Sequence, residues 1–428
     1  MKPIRILLLA LTVFAFFSAA RAQRADPVAI VMTADGPIMP PMLEYFKRGI
    51  ETAQREGAEV LIIELNTPGG SIDTMLEMIQ IMKDSDVPIV VYVAPREAIA
   101  GSAGALITMA GSVAAMAPGT AIGAASPVTS SGEDIDSTME SKVKEILKAK
   151  ARSLVEPRGT AAVKLAESMI DKAKAVTANE ALQAKLIDVI ADDTADLLKQ
   201  MDGLEVKVKG ETRVLRTDGI DVQPLEMSFI EEFLLMLTDP NIAFLLLAIG
   251  VQAILIEISS PGGWVAGFIG AVCITLAVYG MGVLPVNWFG IIFLVIAFVL
   301  FLLDIKAAAH GALTTAGVAS FIIGALVLFN SPGTPQFQRV SVPLVIGVGI
   351  VIGLIFFTIM IFALRAQRGR IQVGVESLVG KTGAARSFDK HAGQVQLESE
   401  LWSAEKSPDS EVIRKGDTVE VVEVRGLR

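Results

Sequence analysis

Two short motifs could do chemistry together. Thr67-Pro68-Gly69-Gly70 follows a β-branched run, and some thirty residues later Gly101-Ser102-Ala103-Gly104 opens a stretch of small residues. Glycines after a strand let backbone N–H groups approach a substrate carbonyl, because no Cβ intervenes. A serine at a helix start sits where N–H groups and the helix dipole favour developing negative charge. The pairing reads as an oxyanion turn beside a nucleophile, Ser102; each motif alone also fits a plain strand-to-helix turn or a tight packing contact. Between Gln23 and Thr238 there is no histidine, since the chain's two are His310 and His391. A nucleophilic Ser102 therefore needs lysine or a carboxylate as its base.

The elements that must position these motifs follow from periodicity. Val28 to Met32, Val60 to Leu65, Pro88 to Val93 and Val113 to Ala117 read as strands. Met39 to Glu56, Thr74 to Asp84, Ser102 to Gly111, Glu140 to Val155 and Leu165 to Lys174 have helical spacing. Strands alternating with helices predict an α/β layer fold. Leu204 to Gln223 is polar with weak alternation and reads as a connecting arm.

Around that domain the composition changes twice. Lys2 and Arg5, an apolar run from Ile6 to Ala19, and Ala20-Arg21-Ala22 make a secretory signal over residues 1–22, so the domain that follows is exported. From Asn241 to Leu364 only Glu257, Asp304, Lys306 and Arg339 are charged, and the stretch breaks into about five apolar segments. They lie near Asn241 to Ile258, Trp264 to Leu284, Trp288 to Leu303, Ala312 to Phe329 and Pro343 to Leu364. Five crossings leave Lys306 and the Arg365, Arg368, Arg370 cluster on the cytoplasmic side, as the positive-inside rule prefers. Glu257 and Asp304 fall at segment edges, the latter expected to pair with Lys306. A final soluble piece has short alternating strands, Gln394 to Leu397 and Thr418 to Val424, broken by glycines.

Of the 428 residues 52% are hydrophobic and mean hydropathy is +0.56, which fits soluble domains joined to a membrane block. A net charge of -9 and a pI near 5.0 argue against nucleic acid as a partner. One cysteine, Cys273, and an isolated His310 offer no metal set, and no cofactor is expected.

The TPGG and GSAG motifs, the run Ala117-Pro118-Gly119-Thr120-Ala121-Ile122-Gly123-Ala124, five apolar segments and a tail containing Val379-Gly380-Lys381-Thr382-Gly383 together resemble the long form of the nodulation-efficiency protein D (NfeD) family. The resemblance implies a multidomain chain. Residues 23–200 would form a Clp-protease/crotonase-like α/β domain, 201–240 the arm, 241–364 an α-helical multi-pass membrane domain, and 371–428 a small all-β OB-fold domain. It implies a membrane-anchored serine endopeptidase with a Ser-Lys site on the exported face, cutting apolar segments of a stomatin- or flotillin-type membrane partner. Homo-oligomerisation is expected from the same superfamily.

The resemblance makes Gly69, Gly70 and Ala103 the oxyanion donors. In archaeal members the dyad lysine precedes a Ser-Leu-Ala step; the matching place, before Ser153-Leu154-Val155, is Arg152, which stays protonated and cannot act as a base. Lys142, Lys144, Lys148 and Lys150 share that helix. Lys142 ranks first because Val143, Ile146 and Ala149 border it, so that burial would lower its pKa. Loss of the lysine leaves a second reading open, an inactive scaffold that keeps the peptide groove and organises the membrane partner. Acyl-CoA chemistry of the crotonase kind fits poorly with export.

Overall fold

Runs of Val and Ile that can be buried on both faces favour parallel pairing with helices packed above and below. The structure, a computed structural model, describes residues 27–127, 137–259, 262–307, 311–331, 334–368, 375–408 and 410–424. The expected signal, residues 1–22, and His310 lie outside these. The chain divides into two units, Met1–Ile296 with Ala319–Ile350, and Ala297–Val318 with Val351–Arg428.

In chain order the first domain runs β1 (Val28–Asp35), α1 (Pro40–Glu56), β2 (Val60–Asn66), α2 (Ile72–Lys83), β3 (Ile89–Val93), β4 (Ile99–Gly101), α3 (Ala103–Ala110), β5 (Val113–Met116) and β6 (Ala121–Gly123). It continues with α4 (Ser137–Val155), α5 (Thr160–Asp171), β7 (Ala175–Thr177), α6 (Ala178–Gln183), β8 (Val189–Ile190), α7 (Thr194–Met201), β9 (Glu205–Val208), β10 (Glu211–Val214) and β11 (Asp221–Leu225). A six-stranded parallel sheet has the order β11-β1-β2-β3-β5-β8. Alternate residues of β2 serve two cores: Leu61, Ile63 and Leu65 join Phe46, Met78 and Leu106 on one face, while Val60 and Ile62 join Tyr92, Leu197 and Met201 on the other. A smaller sheet, β4-β6-β7, carries Gly101 at its edge.

The stretch expected as a connecting arm is folded. Val206, Val208 and Leu215 are buried against the second core, and β9 and β10 form a hairpin. β11 pairs with the open edge of β1 through its backbone while most of its side chains remain exposed. A strand held by backbone bonds at an edge, with Pro224 in it, leaves little side-chain pattern to read.

Helix α8 (Phe229–Met236) follows, tied to α1 by Arg48, whose Nε and Nη2 donate to the Glu231 carboxylate at 2.8 and 2.7 Å. Five apolar helices come next: α9 (Pro240–Ser259), α10 (Val265–Val283), α11 (Phe289–Ala307), α12 (Ala312–Phe329) and α13 (Val342–Arg368). Among the described residues four are long and apolar enough to cross a membrane; α11 is apolar over the shorter stretch Phe289–Asp304. Glycines let neighbours approach closely, Gly270 to the Gly250 carbonyl and Gly290 to that of Gly324.

The two carboxylates at the segment edges cap helices. Glu257 accepts from the N–H groups of Trp264 and Gly267 at the start of α10, at 3.1 and 3.3 Å. Asp304 is buried and accepts from Thr314 N and Oγ1 at 3.1 and 2.5 Å, at the start of α12. A carboxylate at a helix N-terminus satisfies orphan donors that lipid cannot; the Lys306 side chain, expected to pair with Asp304, lies outside the described residues. The tail is an antiparallel sheet of β12 (Thr382–Phe388), β13 (Ala392–Leu397), β14 (Glu400–Glu405) and β15 (Thr418–Glu420) in the order β14-β13-β12-β15, the small all-β domain expected.

Burial pushes the Glu231 carboxyl upward, but hydrogen bonds from Arg48 and Ser228 outweigh it and hold its pKa below the usual carboxylate value. A depressed value means the stabilisation is present above the unfolded pKa, about 4.3, and fades as pH falls through the folded one. In the full chain in detergent micelles, Glu231→Gln should cost about 1–3 kcal/mol near neutral pH. The gap in melting temperature to wild type should close on acidification. A gap that stays constant down to about pH 3 would refute the assignment.

Candidate active site

The Thr67–Gly70 turn is pinched between two backbone partners. Thr67 donates its N–H to Ile99 O at 2.7 Å and accepts from Gly101 N at 2.9 Å, which joins the turn to β4. On its other side Ile38 donates to Gly69 O at 2.8 Å and accepts from Ser71 N at 2.9 Å. This bracket leaves no room for side chains. A Cβ on Gly70 would stand 2.1 Å from Ile38 O, and one on Gly69, whose φ is +121°, would stand 2.7 Å from Ser102 Cβ. Gly101 and Gly104 are equally hemmed in, by Pro68 O and Thr67 Cγ2 at 2.9 and 2.4 Å.

Ser102 is the residue before α3, at φ 50° and ψ −112°. That backbone conformation is rare for a residue with a Cβ and costs about 1–3 kcal/mol, so the surroundings must impose it. Its N–H donates to Gly123 O in β6 at 2.8 Å, and its carbonyl accepts from Ala105 N at 3.1 Å. Among the described residues its hydroxyl has no hydrogen-bond partner and caps no N–H group. Strand β4, strand β6 and the glycine turn thus present an unengaged serine hydroxyl at a helix N-terminus.

The three expected donors separate. Gly69 N–H already donates to Thr67 Oγ1 at 3.1 Å. Gly70 and Ala103 have no acceptor for theirs among the described residues, which leaves them open to an oxyanion beside Ser102. Sequence reasoning missed Ile38 and the Thr67 hydroxyl, the groups that shape the turn. Neither carries a motif, because Ile38 acts through its backbone and Thr67 looked like part of the glycine signal.

Helix α4 packs on α3 and α5 through Leu147, Ala151, Leu154 and Val155. At about 100° per residue, Lys144 lies about 35° from the centre of that stripe and Lys142 about 165° from it. Lys142 is exposed, contrary to the burial that ranked it first; the Ile146 and Ala149 beside it are exposed too, so the apolar side lies elsewhere. The end of α4 is fixed by Arg158, whose Nη1 donates to Asp188 Oδ1 at 2.8 Å, while Asp188 Oδ2 accepts from Ala114 N at 2.8 Å. Lys144 and Lys148 lie nearer that stripe than Lys142 and are half-buried.

Both are paired. Lys144 contacts Glu140 at 2.6 Å. Lys148 donates to Glu145 at 2.9 Å and contacts Asp171 at 3.2 Å, and these bonds raise its pKa, the wrong direction for a base. Arg152 is bound to Glu167 on α5 through Nε at 2.8 Å. The structure therefore brings Ser102, Gly69, Gly70 and Ala103 together and leaves Lys142 and Arg152 turned to other surroundings.

Three family descriptions match successive parts of the chain: NfeD1b, N-terminal domain over residues 30–221, NfeD integral membrane domain over 241–362, and NfeD-like C-terminal, partner-binding domain over 375–428. The membrane-bound protease PH1510 of Pyrococcus horikoshii is 34% identical over 432 residues, covering 99% of this chain and 97% of the relative. Membrane protein NfeD1b of Bacillus subtilis is 26% identical over 249 residues, covering 56% and 53%. Among solved structures, a membrane protease specific for a stomatin homolog from Pyrococcus horikoshii is 31% identical, covering 50% of this chain and 100% of its own, with a TM-score of 0.43. With three successive domain matches and a full-length relative that is a membrane-bound protease, the chain belongs to the NfeD family, as a multi-pass membrane serine protease of its long form.

Proposed function

We propose that Ser102 attacks the scissile carbonyl of an apolar peptide segment, with the N–H groups of Gly70 and Ala103 holding the oxyanion. The observation that carries this is the strained Ser102 backbone, which sets its hydroxyl against the glycine turn, while the Gly70 and Ala103 N–H groups have no acceptor among the described residues. In this reading Gly69 shapes the turn rather than donating.

The base comes from α4. Lys144 takes the place first given to Lys142, because of the lysines on α4 it lies closest to the inward stripe of Leu147, Ala151, Leu154 and Val155. As general base it takes the Ser102 proton as the hydroxyl attacks. Arg152, held by Glu167, positions α4 against α5 and takes no part in proton transfer.

The substrate follows the family: the apolar part of a stomatin-type membrane protein, with the β domain over residues 375–428 engaging such a partner. The protease domain faces the exported side and five crossings bring the tail to the cytoplasm, where Lys306 and the arginines near residue 368 satisfy the positive-inside rule.

Cleavage of apolar peptides by the full chain in micelles, read by mass spectrometry, should vanish in Ser102→Ala. A wild-type chain that holds peptide without cutting it would instead be a scaffold. Lys144→Ala and Lys144→Arg should each lose roughly 10²–10⁴-fold, since arginine keeps the pair to Glu140 but cannot give up its proton. Lys142→Ala should cut at the normal rate. Activity retained in Lys144→Arg would assign that lysine a structural role.

A further inference from the structure

The short helix α8 has its polarity reversed for a helix on a water-facing surface. Its inward side holds Glu231, bonded to Arg48, and Leu235, whose Cδ2 comes within 3.9 Å of a Cβ built on Gly36. The opposite side carries Phe229, Ile230 and Met236, exposed to 80%, 67% and 47%, with Phe233 stacked on Phe229 at 6.2 Å between ring centres. At about 100° per residue, Phe229, Phe233 and Met236 fall within about 60° of one another. A face this apolar, turned from the domain core, marks an interaction site.

What covers it follows from the neighbouring elements. The membrane span of α9 begins at Pro240, directly after this helix. The returning α10 ends beside it, since a Cβ on Gly280 would stand 2.4 Å from Leu237 O. At that same end, Trp288 and Phe289 open α11 with 58% and 67% exposure. Aromatic side chains gathered at one end of apolar helices mark the headgroup level of a bilayer.

We propose that α8 is an interfacial helix, with Phe229, Ile230, Phe233 and Met236 seated at the headgroup–acyl boundary of the lipid, and that it fixes the α/β domain against the membrane surface. Arg48 and Tyr45 of α1 hold it from above, through Glu231 and through the carbonyls of Glu226 and Leu225. Leu235 meets Gly36, two residues before the Ile38 that brackets the glycine turn. The seat is apolar and carries Glu232 at its rim, so it needs zwitterionic lipid only. The inference stands whether or not Ser102 is a nucleophile.

The test uses the full chain with its one cysteine removed (Cys273→Ser), in phosphatidylcholine nanodiscs, with a nitroxide attached at Phe229→Cys, Ile230→Cys or Met236→Cys and, for reference, at Asp218→Cys. Collisions with oxygen, which partitions into lipid, are compared with those of a water-soluble nickel chelate. The three helix positions should give an oxygen-to-nickel ratio several-fold above that at position 218. A ratio equal to the reference would leave the face in water and overturn the proposal. Exclusion of both reagents would also overturn it, because a second copy or another protein would then cover the face.

Discussion

The site depends on one close approach, the backbone of Gly69 and Gly70 held between Ile38 and Ser102 with no side chain between them. Hydrogen bonds from both flanks fix the turn, and Cβ atoms at either glycine would strike a neighbouring backbone or side-chain atom. Because Ile38 lies just after β1 and Ser102 between β4 and α3, the pinch also fixes how the larger sheet meets the smaller one. The unusual backbone of Ser102 is then a result of packing: Gly123 O draws its N–H into the small sheet while the start of α3 takes its carbonyl. Strain of this kind persists because surrounding contacts over-determine it.

The membrane half solves a different problem with the same chemistry. Lipid offers no partner for the first N–H groups of a helix, so each return of the chain needs an acceptor of its own. Glu257 serves α10 and Asp304 serves α12, each placed near the end of the preceding helix. Two acidic residues in an apolar stretch would otherwise suggest a transport path. As caps they explain why carboxylates are tolerated there and why they lie one helix apart in corresponding places.

The strands, the helices of the first domain and the apolar segments were legible because burial on one or two faces leaves a period in the sequence. The glycine turn and Ser102 were legible because close approach demands glycine, a residue type that shows itself. β11 was not, since its pairing with β1 uses backbone groups and leaves most of its side chains exposed, without a buried period. Nor was the role of Ile38, which acts through its N–H and carbonyl alone. The burial expected at Lys142 is absent for a related reason. Val143 does pack inward, but Ile146 and Ala149 are exposed, so three small or apolar residues near a lysine did not define one face.

Lysine and arginine on α4 are sorted by where that helix must bury its surface. Leu147, Ala151, Leu154 and Val155 face α3 and α5, which leaves Lys148 and Arg152 on flanks where acidic residues of α5 meet them, Asp171 and Glu167. An ion pair of that sort stabilises the protonated lysine and opposes its use as a base. Arginine at position 152 loses nothing in such a pair and gains a second donor, so the seam between α4 and α5 favours it there. Among the described residues Lys144 meets no α5 carboxylate; its partner, Glu140, is one turn away on the same helix and exposed to solvent. A pair of that kind is worth little, so it does not tie α4 to its neighbours as the pairs to α5 do.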